Sequence, residues 1–132
     1  MRQLKLRGFK GIPFISLDFD NGHIQISGEL HSQLIERHFL PVIAALQSQT
    51  FRVDNIEIHF LLDQINANGN YELIRFLKMI KQRQTQGLSV ICYWYQQEGV
   101  YEELGDRLGE LLGLNFKNVN LPPMVNELEY DL

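Results

Sequence analysis

Residues 55 to 95 alternate in a way that leaves few folds open. Asn55–Leu62 reads as a strand. Tyr71–Gln86 carries Leu73, Ile74, Leu77 and Ile80 at helical spacing, one apolar stripe, and Gly87 follows where a C-cap glycine stands. Leu88–Tyr95, rich in β-branched and aromatic residues, reads as a buried strand. Strand–helix–strand units of this length join parallel neighbours through right-handed crossovers. The pattern then repeats. A loop Gln96–Gly99 leads to a helix over about Val100–Leu112, with Tyr101, Leu104, Leu108, Leu111 and Leu112 inward and Gly113 as its cap. Phe116–Asn120 is a last short strand. Each helix must cover a sheet face to hide its stripe.

The front of the chain is strand-rich. Gln3–Leu6, Pro13–Phe19 and His23–Ser27 read as strands, and Asp20-Asn21-Gly22 is a hairpin turn because Asn-Gly accepts positive φ. A helix follows over Ser32–Gln49, with Leu34, Ile35, Phe39, Val42, Ile43 and Leu46 on its apolar face. Pro41 must kink or restart it, since proline removes a backbone donor and crowds the preceding turn. The fold class is therefore α/β: a single domain over residues 1–120, a mixed sheet covered by three main helices, opened by an antiparallel hairpin. Residues 121–132 form a C-terminal tail that starts at Leu121-Pro122-Pro123. The tail is acidic, with Leu128 and Leu132 spaced by four, and reads as a frayed end or a docking helix.

Composition narrows the chemistry. With 132 residues, 45% of them hydrophobic, the chain can bury a core without covalent staples. Cys92 is the only cysteine and sits in an apolar run, so it reads as an inert buried thiol in a reducing compartment. The start lacks the apolar stretch of a signal peptide, and no run is long enough for a membrane span, which implies a cytoplasmic protein. A net charge of -4 argues against nucleic acid as the main partner. His23, His31, His38 and His59 lack the spacing and companions of a metal site, although His31 and His38 could share a helix face. No nucleophile motif and no phosphate-cradling glycine loop is present, so neither a catalytic residue nor a cofactor is expected. Gly105, Gly109 and Gly113 read as close packing of the last helix on the sheet. Two helix faces are charged: Arg75, Lys78, Lys81 and Arg83 on one helix, and Glu102, Glu103, Asp106 and Glu110 on the next. Both read as solvated faces, or as docking surfaces for a partner of opposite charge, with Arg75 and Lys78 as the candidate contacts.

The most unusual local sequence is Asp63-Gln64-Ile65-Asn66-Ala67-Asn68-Gly69-Asn70, where a central strand ends and a helix begins. Ligands and partners gather at the carboxyl ends of strands in open α/β sheets, and a helix start favours anions. Asn and Gly also simply suit turns, and Asn68 or Asn70 can cap the helix.

Several pieces, spread over most of the chain, resemble one known family. They are Leu17-Asp18-Phe19-Asp20 with Ile26-Ser27-Gly28, Phe39-x-Pro41-Val42, Leu62-Asp63-x-x-Asn66, Gly87-x-x-Val90 with Trp94-Tyr95, and Leu112-Gly113-Leu114-x-Phe116. In order and spacing they resemble the SiaC-type regulatory phosphoproteins of bacteria. The resemblance implies a STAS-like fold and a non-enzymatic switch. Family members are phosphorylated on a Thr or Ser in the turn by a partner kinase and reset by a PP2C-type phosphatase. The unphosphorylated form activates a diguanylate cyclase, in cyclic-di-GMP signalling and biofilm formation. This sequence departs from the family at the turn, which there reads roughly Asn-Thr-Ser-Ser-Ser. Asn66 matches, but Ala67, Asn68, Gly69 and Asn70 replace the hydroxyl residues, and no Ser or Thr lies between Thr50 and Thr85. Glu29-Leu30-His31-Ser32-Gln33 and Gln96-Gln97-Glu98-Gly99 also differ from the family pattern.

The leading expectation is a partner-binding regulator with a silenced phosphosite. Its regulatory turn is Asp63, Asn66, Ala67, Asn68, Gly69 and Asn70, and its partners are a diguanylate cyclase and a kinase/phosphatase pair. The alternatives are a STAS-like module of a partner-switching cascade controlling a sigma factor or another output, and a small-molecule-binding domain using Asp63, His59 and Asn66 in a strand-end cleft.

Overall fold

Strand order in the sheet equals strand order in the chain: β1 (Gln3–Leu6), β2 (Phe14–Asp18), β3 (His23–Leu30), β4 (Asn55–Ile65), β5 (Ser89–Gln96) and β6 (Asn115–Asn120). The computed structural model describes residues 2–96 and 103–121. The first two pairings are antiparallel and the other three parallel. The parallel steps are bridged by α1 (Ile35–Ser48), α2 (Ala67–Thr85) and α3 (Leu104–Leu112). This is the mixed sheet with an antiparallel opening that the sequence implies.

The unreversed order has a geometric consequence. Right-handed crossovers that all step in one direction place every helix on the same side of the sheet. Ile15, Leu17, Ile24, Ile26, Ile56, Ile58, Phe60, Val90, Cys92 and Trp94 are buried on that side with Phe39, Leu46, Leu73, Phe76, Leu77 and Ile80 from α1 and α2. Phe76 lies edge-on between Phe39 and Phe60, at 6.4 and 6.5 Å between ring centroids. The other side carries no helix among the described residues. The strands accordingly alternate: in β5, Val90, Cys92 and Trp94 are buried while Ile91, Tyr93 and Tyr95 are half-buried on the bare side. Leu88–Tyr95 is therefore not buried on both faces, as its composition suggested.

Several boundaries move for local reasons. β3 runs on to Leu30 through a register shift at Gly28/Glu29, where Gly28 has φ 106°. α1 continues unbroken through Pro41 and does not restart. Pro41 and Arg37, whose carbonyl Pro41 cannot reach, both lie on the exposed side of the helix, where water can supply the missing donor. Leu34 is the N-cap residue of α1 and is 55% exposed, so it does not join the apolar face. β4 extends through Asp63 to Ile65, and α2 begins at Ala67 instead of Tyr71. α3 begins at Leu104 after the N-cap Glu103 and ends at Gly113, whose φ is 67°. Leu108 points inward, whereas Leu111 is 66% exposed and is not part of the stripe. Gly105 and Gly109 let α3 close on the sheet: a Cβ at Gly105 would stand 2.7 Å from the Trp94 ring. Val100, Tyr101, residues 97–99 and the tail 122–132 lie outside the described residues.

Candidate partner-binding site

The segment read as a turn is a strand end joined directly to a helix start. Asn66 is the only linker residue between β4 and α2 and is the N-cap of α2. Its side-chain Oδ1 accepts from Gly69 N at 2.9 Å, and its Nδ2 donates to His31 O at 3.1 Å. Its backbone N donates to Leu30 O at 3.1 Å, and its carbonyl accepts from Asn70 N at 2.9 Å. The cap is thus Asn66, not Asn68 or Asn70. One amide side chain ties the helix start to the β3–α1 connection.

Gly69 explains how closely the two meet. A Cβ there would stand 2.1 Å from Leu30 O and 2.6 Å from Leu30 Cβ. The positions that replace the family's hydroxyl residues are therefore not equivalent. Gly69 is buried against β3, Asn70 is half-buried, and Ala67 and Asn68 are exposed in the first helical turn. A side chain at position 67 or 68 is presented to solvent at the positive end of α2.

The neighbouring loop is latched to the same end of the sheet. Glu29 Oε1 accepts from Gly11 N at 3.0 Å and lies 3.1 Å from His31 Nε2. His31 N and Ser32 N both donate to Gly11 O, at 2.9 and 3.0 Å. This end also carries three exposed large apolar side chains: Phe9 (76%) in the β1–β2 loop, Leu34 (55%) at the start of α1, and Tyr71 (65%) at the start of α2. Such side chains are the usual anchors of a protein interface. Neither Phe9 nor Tyr71 stands out as a site residue in the sequence: Phe9 lies on a short polar stretch without periodicity, and Tyr71 reads only as the start of a helix.

The other expected site residues scatter. Asp63 sits in β4 on the bare side of the sheet, sharing that side with His59 and Leu61. At about 3.3 Å per residue it is roughly 13 Å along the strand from His59, and Asn66 belongs to the helix cap. The three do not form a cleft. An unreversed strand order also has no topological switch point, where open sheets form their ligand crevice. Arg75 lies 3.5 Å from the buried Glu72 carboxylate. Burial pushes the Glu72 carboxyl up, with Arg75 opposing and Glu36 adding to the rise. Lys78 is exposed. Lys81 donates to Gly113 O at 2.9 Å, and Arg83 donates to Leu46 O and Gln49 O. The basic stripe of α2 is therefore not a free charged face. Its two last members cap the C-termini of α3 and α1, where cations meet unpaired carbonyls.

The histidines also disperse. His38 Nε2 bonds Pro13 O at 2.8 Å, and burial holds its pKa below the ordinary value. His59 stacks on Tyr93 at 4.8 Å and bonds the Tyr95 hydroxyl at 2.8 Å, while His23 pairs with Glu57 at 3.5 Å. No group of three metal-ligating side chains gathers among the described residues. Burial pushes the Cys92 thiol up to about 12, which keeps it protonated and inert. On the bare side, Lys5, Ser16, Asp18, Gln25, His59 and Tyr95 help line an open concavity of about 560 Å³. No helix among the described residues is long and apolar enough to cross a membrane.

Residues 6–121 match the sequence profile of the SiaC family regulatory phosphoprotein. This chain belongs to the SiaC family. Solved SiaC structures share its fold. SiaC of Pseudomonas aeruginosa superposes with a TM-score of 0.81 at 19% identity, covering 92% of this chain and 100% of that one. The crystal structure of diguanylate cyclase SiaD in complex with its activator SiaC, from the same organism, matches with a TM-score of 0.78 at 18% identity, over 89% of this chain and 99% of that chain. No curated protein sequence matches this chain. The family is one of regulatory phosphoproteins, and the reading of this chain as a non-enzymatic regulator stands with it.

Proposed function

We propose that this SiaC-family protein engages its partner through the end of the molecule around the first turn of α2, and that the partner is a diguanylate cyclase. In this reading Ala67 leaves the surface without the hydroxyl by which a kinase would switch it. Membership of the family supports the reading, as does the description of the Pseudomonas aeruginosa SiaC as activator of the diguanylate cyclase SiaD. The observation that carries it is local. Asn66 caps α2 and pins its start to the β3–α1 connection, while Ala67 and Asn68 are exposed at the same end of the sheet as Phe9, Leu34 and Tyr71. A phosphate on residue 67 would set nearly two negative charges at the positive end of a helix, among the apolar side chains that a partner must cover. Ala67 cannot carry it. The protein works in the cytoplasm, held in the form that binds, with any kinase and PP2C-type phosphatase of the system unable to reset it at this position.

Two measurements test this. Incubated with its cognate kinase and ATP, the wild-type chain takes up no phosphate between residues 51 and 84, whereas Ala67→Ser takes it up at position 67. With purified cyclase, the wild-type chain raises cyclic-di-GMP formation, and phosphorylated Ala67→Ser does not. Phosphate on Tyr71 of the wild type would sink the silenced site. A cyclase that neither binds nor responds, with a sigma-factor antagonist recovered from the native cell instead, would transfer the protein to a partner-switching cascade.

A further inference from the structure

Phe9, 76% exposed, stands at the tip of a braced loop between β1 and β2. Phe9 N donates to Ile12 O at 2.9 Å and Ile12 N to Phe9 O at 2.8 Å, so Lys10-Gly11 is a two-residue turn at the end of a short finger. Gly11 suits the turn with φ 72°. It also permits a close approach, since a Cβ there would stand 2.9 Å from Ser32 N. Contacts with two other elements hold the base. Glu29 Oε1 accepts from Gly11 N, Gly11 O accepts from His31 N and Ser32 N, and His38 Nε2 of α1 bonds Pro13 O at 2.8 Å. Gly11 and Pro13 are accordingly buried, while Arg7, Gly8, Phe9 and Lys10 are exposed.

The Phe9 ring takes no part in the core. A large aromatic side chain held in water forgoes the gain of burial, and it is the residue type that anchors interfaces. Because the finger is already fixed, little conformational freedom is lost when a partner covers the ring.

The finger is also cationic. Arg7 and Lys10 flank the ring, and the chain carries no acidic residue before Asp18. Among the described residues neither Arg7 nor Lys10 has an ion-pair partner. By contrast, Arg2 and Arg52 face Asp20, Arg75 faces Glu72 and Arg107 faces Glu103. The Glu29 carboxylate at the base is taken up by Gly11 N and His31. The whole chain has a net charge of -4. At physiological salt, however, exposed charges are screened beyond about 8 Å, so the two local cations set the field at the tip.

We propose that residues 7–10 are a docking finger: Phe9 enters an apolar pocket on a partner protein, and Arg7 and Lys10 pair with acidic side chains on the pocket rim. The inference rests on the proposed function for placing the contact at this end of the molecule, and it adds the chemistry that the partner must present there. A membrane surface is the poorer match. Stable attachment to lipid takes two strong signals, and one ring with two cations does not provide them.

Photo-crosslinking in the native cell tests the finger in the full chain. p-Benzoylphenylalanine replaces Phe9, or, as a control, Asn21 in the exposed turn at the opposite end of the sheet. Position 9 gives an adduct with a protein, and the crosslinked peptide maps to an apolar pocket bearing Asp or Glu; position 21 gives none. Adding Arg7→Glu/Lys10→Glu lowers the adduct at least fivefold, while thermal unfolding shows that the variant keeps its fold. No adduct at position 9, or one that charge reversal leaves undiminished, would overturn the finger. So would an adduct between two copies of the chain, or Phe9-dependent flotation with phosphatidylglycerol vesicles. Purified cyclase separates this inference from the reading beneath it. If the wild type and Phe9→Ser bind the cyclase equally well, the finger falls and the proposed function stands. If the adduct lies on an acidic-rimmed pocket of another protein, the finger stands and the cyclase falls.

Discussion

Gly69→Ala is the substitution for which helix propensity and packing give opposite signs. Alanine in a helix is worth up to about 1 kcal/mol over glycine, and somewhat less in a first turn. On that basis the variant gains stability. The close approach to β3 says otherwise. The new methyl would stand 2.1 Å from Leu30 O and 2.6 Å from Leu30 Cβ, so α2 or the end of β3 must move. Overpacking of this kind costs about 1–3 kcal/mol. The Leu30 carbonyl also accepts from Asn66 N at 3.1 Å, and weakening that bond adds about 1 kcal/mol. Subtracting the propensity gain leaves a net loss of about 1–3 kcal/mol. For a domain of this size that lowers Tm by roughly 3–12 °C. Thermal unfolding by circular dichroism, with a urea midpoint as a second readout, measures it. A Tm equal to or above that of the wild type would refute the claim that Gly69 is a contact point between α2 and β3.

Two other perturbations probe α2. Arg83→Met removes the guanidinium shared by Leu46 O and Gln49 O and should cost about 1–3 kcal/mol in urea unfolding, with hydrogen exchange rising first at the C-terminal turn of α1. Glu72 is 3% exposed with its pKa raised by burial. Between the ordinary glutamate pKa and the raised one, the folded protein holds a proton that the unfolded chain has lost, so stability falls as pH rises through that window. Glu72→Gln should therefore raise Tm at neutral pH and flatten this dependence; an unchanged pH profile would show that the Glu72 carboxyl is not perturbed.

Much of the fold was legible because hydrophobic period reports it directly. The stripe Leu73, Ile74, Leu77 and Ile80, the Asn-Gly hairpin and the cap at Gly113 all lie where the pattern places them. The sidedness of the sheet was less visible. Ile91, Tyr93 and Tyr95 suit a doubly covered strand as well as a bare face, and only the unreversed strand order distinguishes the two. At the site, the residue types were legible and their roles were not. Asn68 and Asn70 read as the caps on paper; the role falls to Asn66, whose amide also reaches His31 O, a contact across 35 residues. Likewise Arg75, Lys78, Lys81 and Arg83 look like one solvated stripe, until the C-termini of α1 and α3 arrive beside Arg83 and Lys81. Contacts between elements distant in sequence leave no trace in local composition.

The match between strand order and chain order also bears on how the protein is made. Each strand pairs with one that has already left the ribosome, so no strand waits for a later one to complete its inner ladder. The hairpin β1–β2 can form at once, β3 can join it, and each following helix–strand unit docks onto an edge that is ready. Synthesis thus extends the sheet stepwise across roughly 24 Å, five interstrand spacings. α2, which holds the cap at Asn66, is secured only when β5 arrives to return the chain to the sheet. A pause between residues 66 and 89 would leave the end of the molecule around Asn66 the last part of the central sheet to set.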